Sequence, residues 1–413
     1  MTSLSRADLG SRIARARDPR SLARRYHAQI AGEAPLAIPV DARLDPAAST
    51  PMLLEAKDHL DRTARDATLD PRTGGITRER EGLSLDVHGT LDDLLAAMRA
   101  GEPEVRARVV RHSPERTADE IEGVRIDALL GTFETRYSTL EDAADRTFNL
   151  RVAAERIDGT VLMPGETFSL NALVGERTEA NGFRPAPEIA GGELVDGVGG
   201  GTCQVAGTLH AAAFFAGLPI VERTPHSRPS AYLWMGMDAT VVYPQLDLRF
   251  TNDLPFPVVI GFTVEGGIAR AEIRGARQSR LVTFTRRLDE ITPFRERDVQ
   301  DPSLPLGVRV LRQRGMPGFR ATRFRIVRDV DRNQAVRQHV EDTYPPTDQI
   351  WRVGTGAPPE PDYVTPEGDT HAEYTADEYL SATTGAGVPE LEITRRAGRT
   401  ALAGWTSAFI APR

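Results

Sequence analysis

Hydrophobic residues change their spacing along this chain, and each change predicts a different kind of element. In Leu53-Leu-Glu-Ala-Lys-Asp-His-Leu-Asp-Arg-Thr-Ala64, Leu53, Ala56 or Lys57, Leu60 and Ala64 share one side, the pattern of an amphipathic helix. Asp70 to Gly75 is a turn, and Leu83-Ser-Leu-Asp-Val87 alternates as a strand. Thr90-Leu-Asp-Asp93 reads as a capping box with Asp in place of Glu; it predicts a helix from Leu91 to Ala100 that stops at Gly101. Val105 to Val110 is read as one strand, and Ser113 to Ala118 as a linker. A helix over Asp142 to Ile157 turns Phe148, Leu150 and Val152-Ala153 inward. Val205, Leu209, Ala212, Ala213 and Leu218 recur every three to five residues, predicting a second helix with one buried face and Gly217 as its stop. Beyond Arg274 the pattern turns to β: Leu281 to Phe284, Val308 to Leu311, Gly315 to Phe319, Ala321 to Val327 and Ile350 to Gly356 alternate between turns. Residues 357 to 382 hold seven acids and no Arg or Lys, which reads as a disordered or loosely packed linker. The end, Leu391 to Ile410, has enough apolar residues to dock on a surface.

These signals divide the chain into a basic arm (1–37), an α+β module (38–122), a central α+β region (128–275), a small β-rich region (280–356) and an acidic linker with a tail (357–413). The expected fold class is therefore multidomain α+β with a C-terminal β-rich module and a partly disordered acidic tail. At 413 residues the chain can bury several cores, and its 40% hydrophobic content is that of a globular protein. Lys57 is the only lysine, and the formal net charge of −8 argues against general nucleic-acid binding. A single cysteine excludes an internal disulfide framework and a thiolate zinc site, and no metal or other cofactor is expected. The first 30 residues carry seven arginines against two aspartates, and no apolar run reaches membrane-spanning length, so no membrane anchor is read in this chain.

Candidate chemistry concentrates at Gly197-Val-Gly-Gly-Gly-Thr-Cys203-Gln, where three glycines run into that one cysteine and then into the apolar helix. A cysteine on a first helical turn faces unpaired N–H groups and the positive end of the dipole, which favour a thiolate. Glycines ahead of it let the backbone turn sharply and present amides to a developing oxyanion. The competing reading is a small buried hydrophobe behind an ordinary loop.

The surrounding residues resemble the VanW-domain family. The matching pieces are Pro164 to Asn171, Val174 to Thr178, Gly182 to Ala186, Gly199 to Gln204, Glu222 to Ser227, Gly236 to Thr240 and Phe250 to Asn252. They stand in the family's order across about Thr132 to Ile273, with Thr202 where family patterns carry an aliphatic residue. The resemblance implies a cell-envelope protein, some members being regarded as cysteine L,D-transpeptidases that cross-link peptidoglycan stem peptides. It places this chain outside the membrane if an export signal or anchor is missing from it, and in the cytoplasm if its N-terminus is genuine. The preceding α+β module resembles the peptidoglycan-binding domain that often comes before VanW domains. The following β-rich segment resembles a small β domain named for its glycines, a module that extends or binds and does no chemistry.

Such a reaction assigns roles. Cys203 supplies the thiol, and His226 is the base, since imidazole titrates near neutral pH. Asp238 either orients that imidazole or caps a turn after Gly236. Amides around Gly200, Gly201 and Gln204 would bind the oxyanion. Arg177, Arg223 and Tyr232 are candidate substrate contacts, set against the ordinary role of a solvated arginine. His210 is expected to be packed or exposed and to take no part in chemistry. Phe168 is assigned to the core, and Asn171 and Asn252 to bonds with neighbouring backbone. The alternatives carried with the transpeptidase are a non-catalytic wall-binding scaffold and a cysteine hydrolase of stem peptides.

Overall fold

The computed structural model describes residues 3–5, 13–15, 42–44, 46–102, 104–190, 193–370 and 374–396. Most of the basic arm and the tail beyond 396 lie outside the described residues. The chain forms two compact units, one from residues 1–67 and 77–121, the other from 68–76 and 122–413. Among the described residues no helix is long and apolar enough to cross a membrane.

The first unit packs helices α1 (Pro46–Leu60) and α2 (Val87–Ala100) with the antiparallel strands β1 (Gly82–Leu85) and β2 (Val109–His112) around Leu53, Leu85 and Leu94. Helix α2 begins a turn before the predicted box. Asp86 is the cap, its carboxylate accepting from the Gly89 amide at 2.8 Å, while Gly101 closes the helix at φ 75°. Thr90 is instead buried, its hydroxyl accepting from the Arg108 amide at 2.9 Å. That bond draws the backbone out of the predicted strand Val105 to Val110, which is split into 104–106 and 109–112.

The second unit is built on an antiparallel sheet in the order β4-β10-β11-β3, formed by β3 (Ala128–Arg136), β4 (Val161–Leu162), β10 (Val258–Glu265) and β11 (Ile268–Gly275). Helices α3 (Ala144–Ile157) and α5 (Thr202–Phe215) lie on it, α3 against β10 and α5 across β3 and β11. The contact of α5 with β3 is too close for a side chain: a Cβ on Gly131 would stand 2.4 Å from the Ala212 carbonyl oxygen. Between α3 and α5 come β5 (Thr167–Ser169), the short helix α4 (Leu170–Val174) and the hairpin β6 (Pro185–Ala190)–β7 (Glu193–Val198). Strands β8 (Ile220–Glu222) and β9 (Arg249–Thr251) complete a small sheet with β5. Phe168 is buried against Phe250 of the central strand, and Asn171 and Asn252 bond backbone carbonyls, as expected.

A five-stranded antiparallel sheet follows in the order β16-β15-β12-β18-β19, from β12 (Arg280–Thr292), β15 (Gly318–Asp329), β16 (Gln334–Tyr344), β18 (Tyr379–Gly385) and β19 (Val388–Arg396). Strands β13 (Glu296–Asp301), β14 (Arg309–Gln313) and β17 (Gln349–Gly354) form a smaller sheet whose β13–β17 pair is parallel. Val282, Phe284, Leu380 and Ala382 belong to the same core as α5, with Phe284 edge-on to Phe214 at 5.8 Å. Covered from both sides, α5 is buried all round. The single buried face expected of it is too few, because the small residues between the large ones, such as Ala206, Gly207 and Ala211, are there to admit neighbours.

The stretch from 357 to 382 is not a loose linker throughout. Its last residues enter β18, where Leu380 and Ala382 point into the core. Two of its acids, just before β18, pair with the edge strand β19, Asp377 with Arg395 and Glu378 with Arg396. A chain stopped after residue 378 would strip the β12 edge and expose the apolar cover of α5. Thermal unfolding followed by circular dichroism is expected to show a loss of at least about 3 kcal/mol, the scale of emptying a large core site.

Candidate functional site

The β6–β7 hairpin delivers the glycine run to the N-terminus of α5. Gly199 and Gly201 have φ of 92° and 107°, and a Cβ on Gly200 would stand 2.5 Å from the Ala186 carbonyl oxygen. Two of the three glycines are thus required by conformation and the third by space. Asn149 of α3 fixes the turn, donating to the Arg184 and Gly200 carbonyls at 2.8 and 3.1 Å. Cys203 follows on the first turn, and every residue of α5 except Cys203 is buried.

Around the sulfur, the Val241 amide donates to Sγ at 3.5 Å, and the His226 imidazole stands close enough to favour the ionised thiol. His226 Nδ1 lies 3.0 Å from Asp238 Oδ2, which also accepts from the His226 backbone amide at 2.8 Å. With Nδ1 committed to the carboxylate, the Nε2 edge is the one left for sulfur. The loops bearing the two residues are tied together by the Thr240 amide donating to the Thr224 carbonyl at 2.8 Å. Burial pushes the Cys203 thiol up, but the imidazole, the Val241 amide and the charge of Arg177 outweigh it and bring the thiol below its ordinary value. Burial likewise pushes His226 down, while Asp238 and Cys203 outweigh it and raise the imidazole to about 9. Asp238 is drawn up by burial but held well below the usual carboxylate range by His226 and Arg223. Both shifts run in the same sense, toward a thiolate beside an imidazolium, which is a nucleophile next to an acid.

Residues 145–274 match the family described as VanW like protein, and residues 285–356 match the G5 domain. The chain carries a VanW-like domain followed by a G5 domain. Over 138 residues it is 43% identical to the Uncharacterized protein YoaR of Bacillus subtilis (strain 168), covering 33% of this chain and 45% of that protein. Over 126 residues it is 30% identical to the Vancomycin B-type resistance protein VanW of Enterococcus faecalis (strain ATCC 700802 / V583), covering 29% and 46%. The chain thus spans a little under half the length of these curated relatives. A solved structure titled IgA1 Protease G5 domain structure is 22% identical, covers 20% of this chain and 99% of that one, and has a TM-score of 0.13.

Within the VanW-like domain Cys203, His226 and Asp238 are brought together in series. Asp238 also accepts from the Gly236 amide at 3.3 Å through Oδ1, so it serves the turn as well, while its Oδ2 is given to His226. Arg177 and Tyr232 stand beside the sulfur. Arg177 donates to Asn171 Oδ1 at 2.6 Å, and its Nε and Nη2 are without a partner among the described residues. Burial and the charge of Cys203 push the Tyr232 phenol above its ordinary range. His210 is packed at 0% exposure, its Nδ1 2.7 Å from the Met237 carbonyl oxygen.

Arg223 is corrected. Its side chain is 2% exposed and bonded to Asp238 at 2.9 Å, to Asp342 and to the Asp238 carbonyl, so it meets no substrate. Gln204 is corrected too: its amide donates to the Gly201 carbonyl at 2.9 Å, and its side chain bonds Thr135, Arg136 and Arg146. The Gly200 amide makes a long bond of 3.4 Å to the Gly197 carbonyl. The amides of Gly201 and Cys203 have no partner among the described residues and are the better oxyanion donors.

Sequence reasoning missed Arg146, whose guanidinium is held 2.8 Å from Gln204 Oε1 and lends charge to Cys203. It also missed Tyr344 and Asp342. Tyr344 donates to Asp238 Oδ1 at 2.6 Å and accepts from the Gly236 amide at 2.9 Å. Both stand at the end of β16, where alternate residues Asp342 and Tyr344 are buried in a strand otherwise exposed. A buried Asp two residues from a buried Tyr is a visible pattern only once the strand is known. Among the described residues no cluster of three or more His, Cys, Asp or Glu could hold a metal.

Proposed function

We propose that this chain is a cell-wall-associated protein whose VanW-like domain is a cysteine acyltransferase acting on peptidoglycan stem peptides, and whose G5 domain helps hold it on the wall. The observation that carries this reading is the Cys203–His226–Asp238 array, with its sulfur on the one residue of α5 that is not buried.

In this reaction the Cys203 thiolate attacks a stem-peptide carbonyl, and the oxyanion falls to the Gly201 and Cys203 amides. Imidazolium His226 gives its proton to the departing amine, leaving a thioester. The amine of a neighbouring stem then attacks the thioester, loses its proton to His226 and carries the acyl group away as a new amide. Asp238 keeps the ring's Nδ1 edge charged and oriented throughout. The charge of Arg177 beside the sulfur would attract a stem carboxylate. A concavity of about 510 Å³ that shares Tyr232 with the surroundings of the sulfur, but is not lined by Cys203 or His226, offers Trp234, Tyr374, Arg286 and Arg395 to the rest of the stem.

Incubation with isolated muropeptides, followed by mass spectrometry, tests the reading. Cross-linked dimers that disappear with Cys203→Ala support transfer. Trimmed stems would mean that water is the acceptor, and retention of unchanged stems would mean a scaffold. Turnover is expected to plateau at neutral pH and to fall near pH 9. There His226 loses its proton and the leaving amine loses its acid. The acid limb lies below the ordinary thiol value, because Cys203 ionises early. A pH–rate profile checks both limbs.

A further inference from the structure

Four buried charges stand behind the imidazole, and two of them come from the G5 domain. Arg223 bridges Asp238 of the VanW-like domain and Asp342 of β16, and Arg323 of β15 donates to Asp342 at 2.9 Å. The side chains of Arg223, Asp238 and Asp342 are 2%, 1% and 3% exposed, and that of Arg323 11%, so solvent screens little of what passes between them. If Asp342 were absent, Asp238 would face two guanidinium groups alone, and much of its charge would be spent on them. With Asp342 present the arginines are balanced, and Asp238 keeps its field for the ring.

We propose that Asp342 of the G5 domain is a positioning residue for the cysteine chemistry: it is the counter-ion of Arg223 and Arg323 that leaves Asp238 able to hold the His226 imidazolium. This rests on the acyltransferase reading above. It gives the G5 domain a part in the reaction centre in addition to holding on to the wall. Tyr344, two residues on along the same strand, fixes the rotation of the Asp238 carboxylate through Oδ1. Oδ2 is thereby kept on His226.

The groups facing the ring are few. Cys203 approaches from α5 and Asp238 from its own loop. Behind Asp238 stand Arg223, Asp342, Arg323 and Tyr344, with Tyr232 and Tyr374 also within its field. Arg146 and Arg177 lie on the side of the sulfur. His210, nearby, is kept neutral by burial and by Arg223 and Arg323. Among these, removing Asp342 leaves the cluster one unit more positive and removing Arg323 leaves it one unit more negative. The two changes therefore push His226 in opposite directions.

The test follows the His226 ring by NMR in histidine-labelled full chain, with the resonance assigned from His226→Gln. Wild type is expected to titrate near 9. Asp342→Asn should lower that by about one unit, tenfold in the proton equilibrium, and Asp342→Glu should restore it. Arg323→Gln should move it upward. A residue that merely braces the fold would leave the titration in place or move both variants the same way, and either result overturns the proposal. If Asp342→Asn does not fold, Arg323→Gln decides alone: an upward shift supports the counter-ion role, and an unchanged or lowered value sinks it. A wild-type ring titrating at the ordinary value near 6.5 would instead bring down the thiolate–imidazolium reading itself, and the counter-ion role with it.

Discussion

Cys203→Ala is expected to abolish acyl transfer, with turnover falling by at least about 10⁴-fold while the stem peptide still binds. The loss should be this large because the proposed reaction passes through a covalent thioester. Other groups at the site orient or donate protons, and none replaces sulfur as the attacking atom. Cys203→Ser is expected to be nearly as inactive, since a hydroxyl does not ionise beside this imidazole as a thiol does. Neither change disturbs packing greatly, because the hydrogen bonds of the sulfur are long ones to the Val241 backbone. The measurement is product formation by mass spectrometry alongside an unchanged melting curve. Full cross-linking by the alanine variant would remove the nucleophile from the mechanism.

Asp238→Asn is expected to be the next most damaging single change, lowering turnover about 10³- to 10⁴-fold. Asp238 Oδ2 accepts from two N–H groups of His226, and an amide NH₂ turned that way would confront donors with donors. Turned the other way, it would confront Arg223 and Tyr344 at Oδ1. The variant also leaves Arg223 and Arg323 facing Asp342 alone, so a stability loss of about 3–5 kcal/mol accompanies the kinetic one. With the carboxylate gone the imidazolium is less favoured, and the alkaline limb of the pH–rate profile should move toward acid. A variant that keeps the wild-type limb would show that the carboxylate supports structure only.

The grouping of the candidate residues was legible in the sequence because they sit in short contiguous pieces. A glycine run, a lone cysteine and a histidine motif follow one another closely in the chain, and Cys203, His226 and Asp238 do meet. What could not be read depends on approach between distant segments. Arg223 looked like a surface guanidinium because its partners, Asp238 and Asp342, are 15 and 119 residues away. Arg146 opens a helix with no pattern to distinguish it from the other arginines. The helix Thr202–Phe215 was read as half-buried because periodicity reports the largest residues, and the alanines and glycine between them carry no period. The acidic stretch misled for a related reason. Composition averaged over residues 357 to 382 hides Leu380 and Ala382, whose alternation is what makes a strand.

The all-round burial of α5 has a consequence for the chain as it is synthesised. The helix is complete at residue 215, but the strand that supplies Leu380 and Ala382 emerges about 165 residues later. At ribosomal speeds of about 5–20 residues per second, this leaves a sticky apolar rod without its full cover for roughly 10–30 s. A nascent chain in that condition invites a holding chaperone, and the step that ends its vulnerability is the arrival of the last sheet.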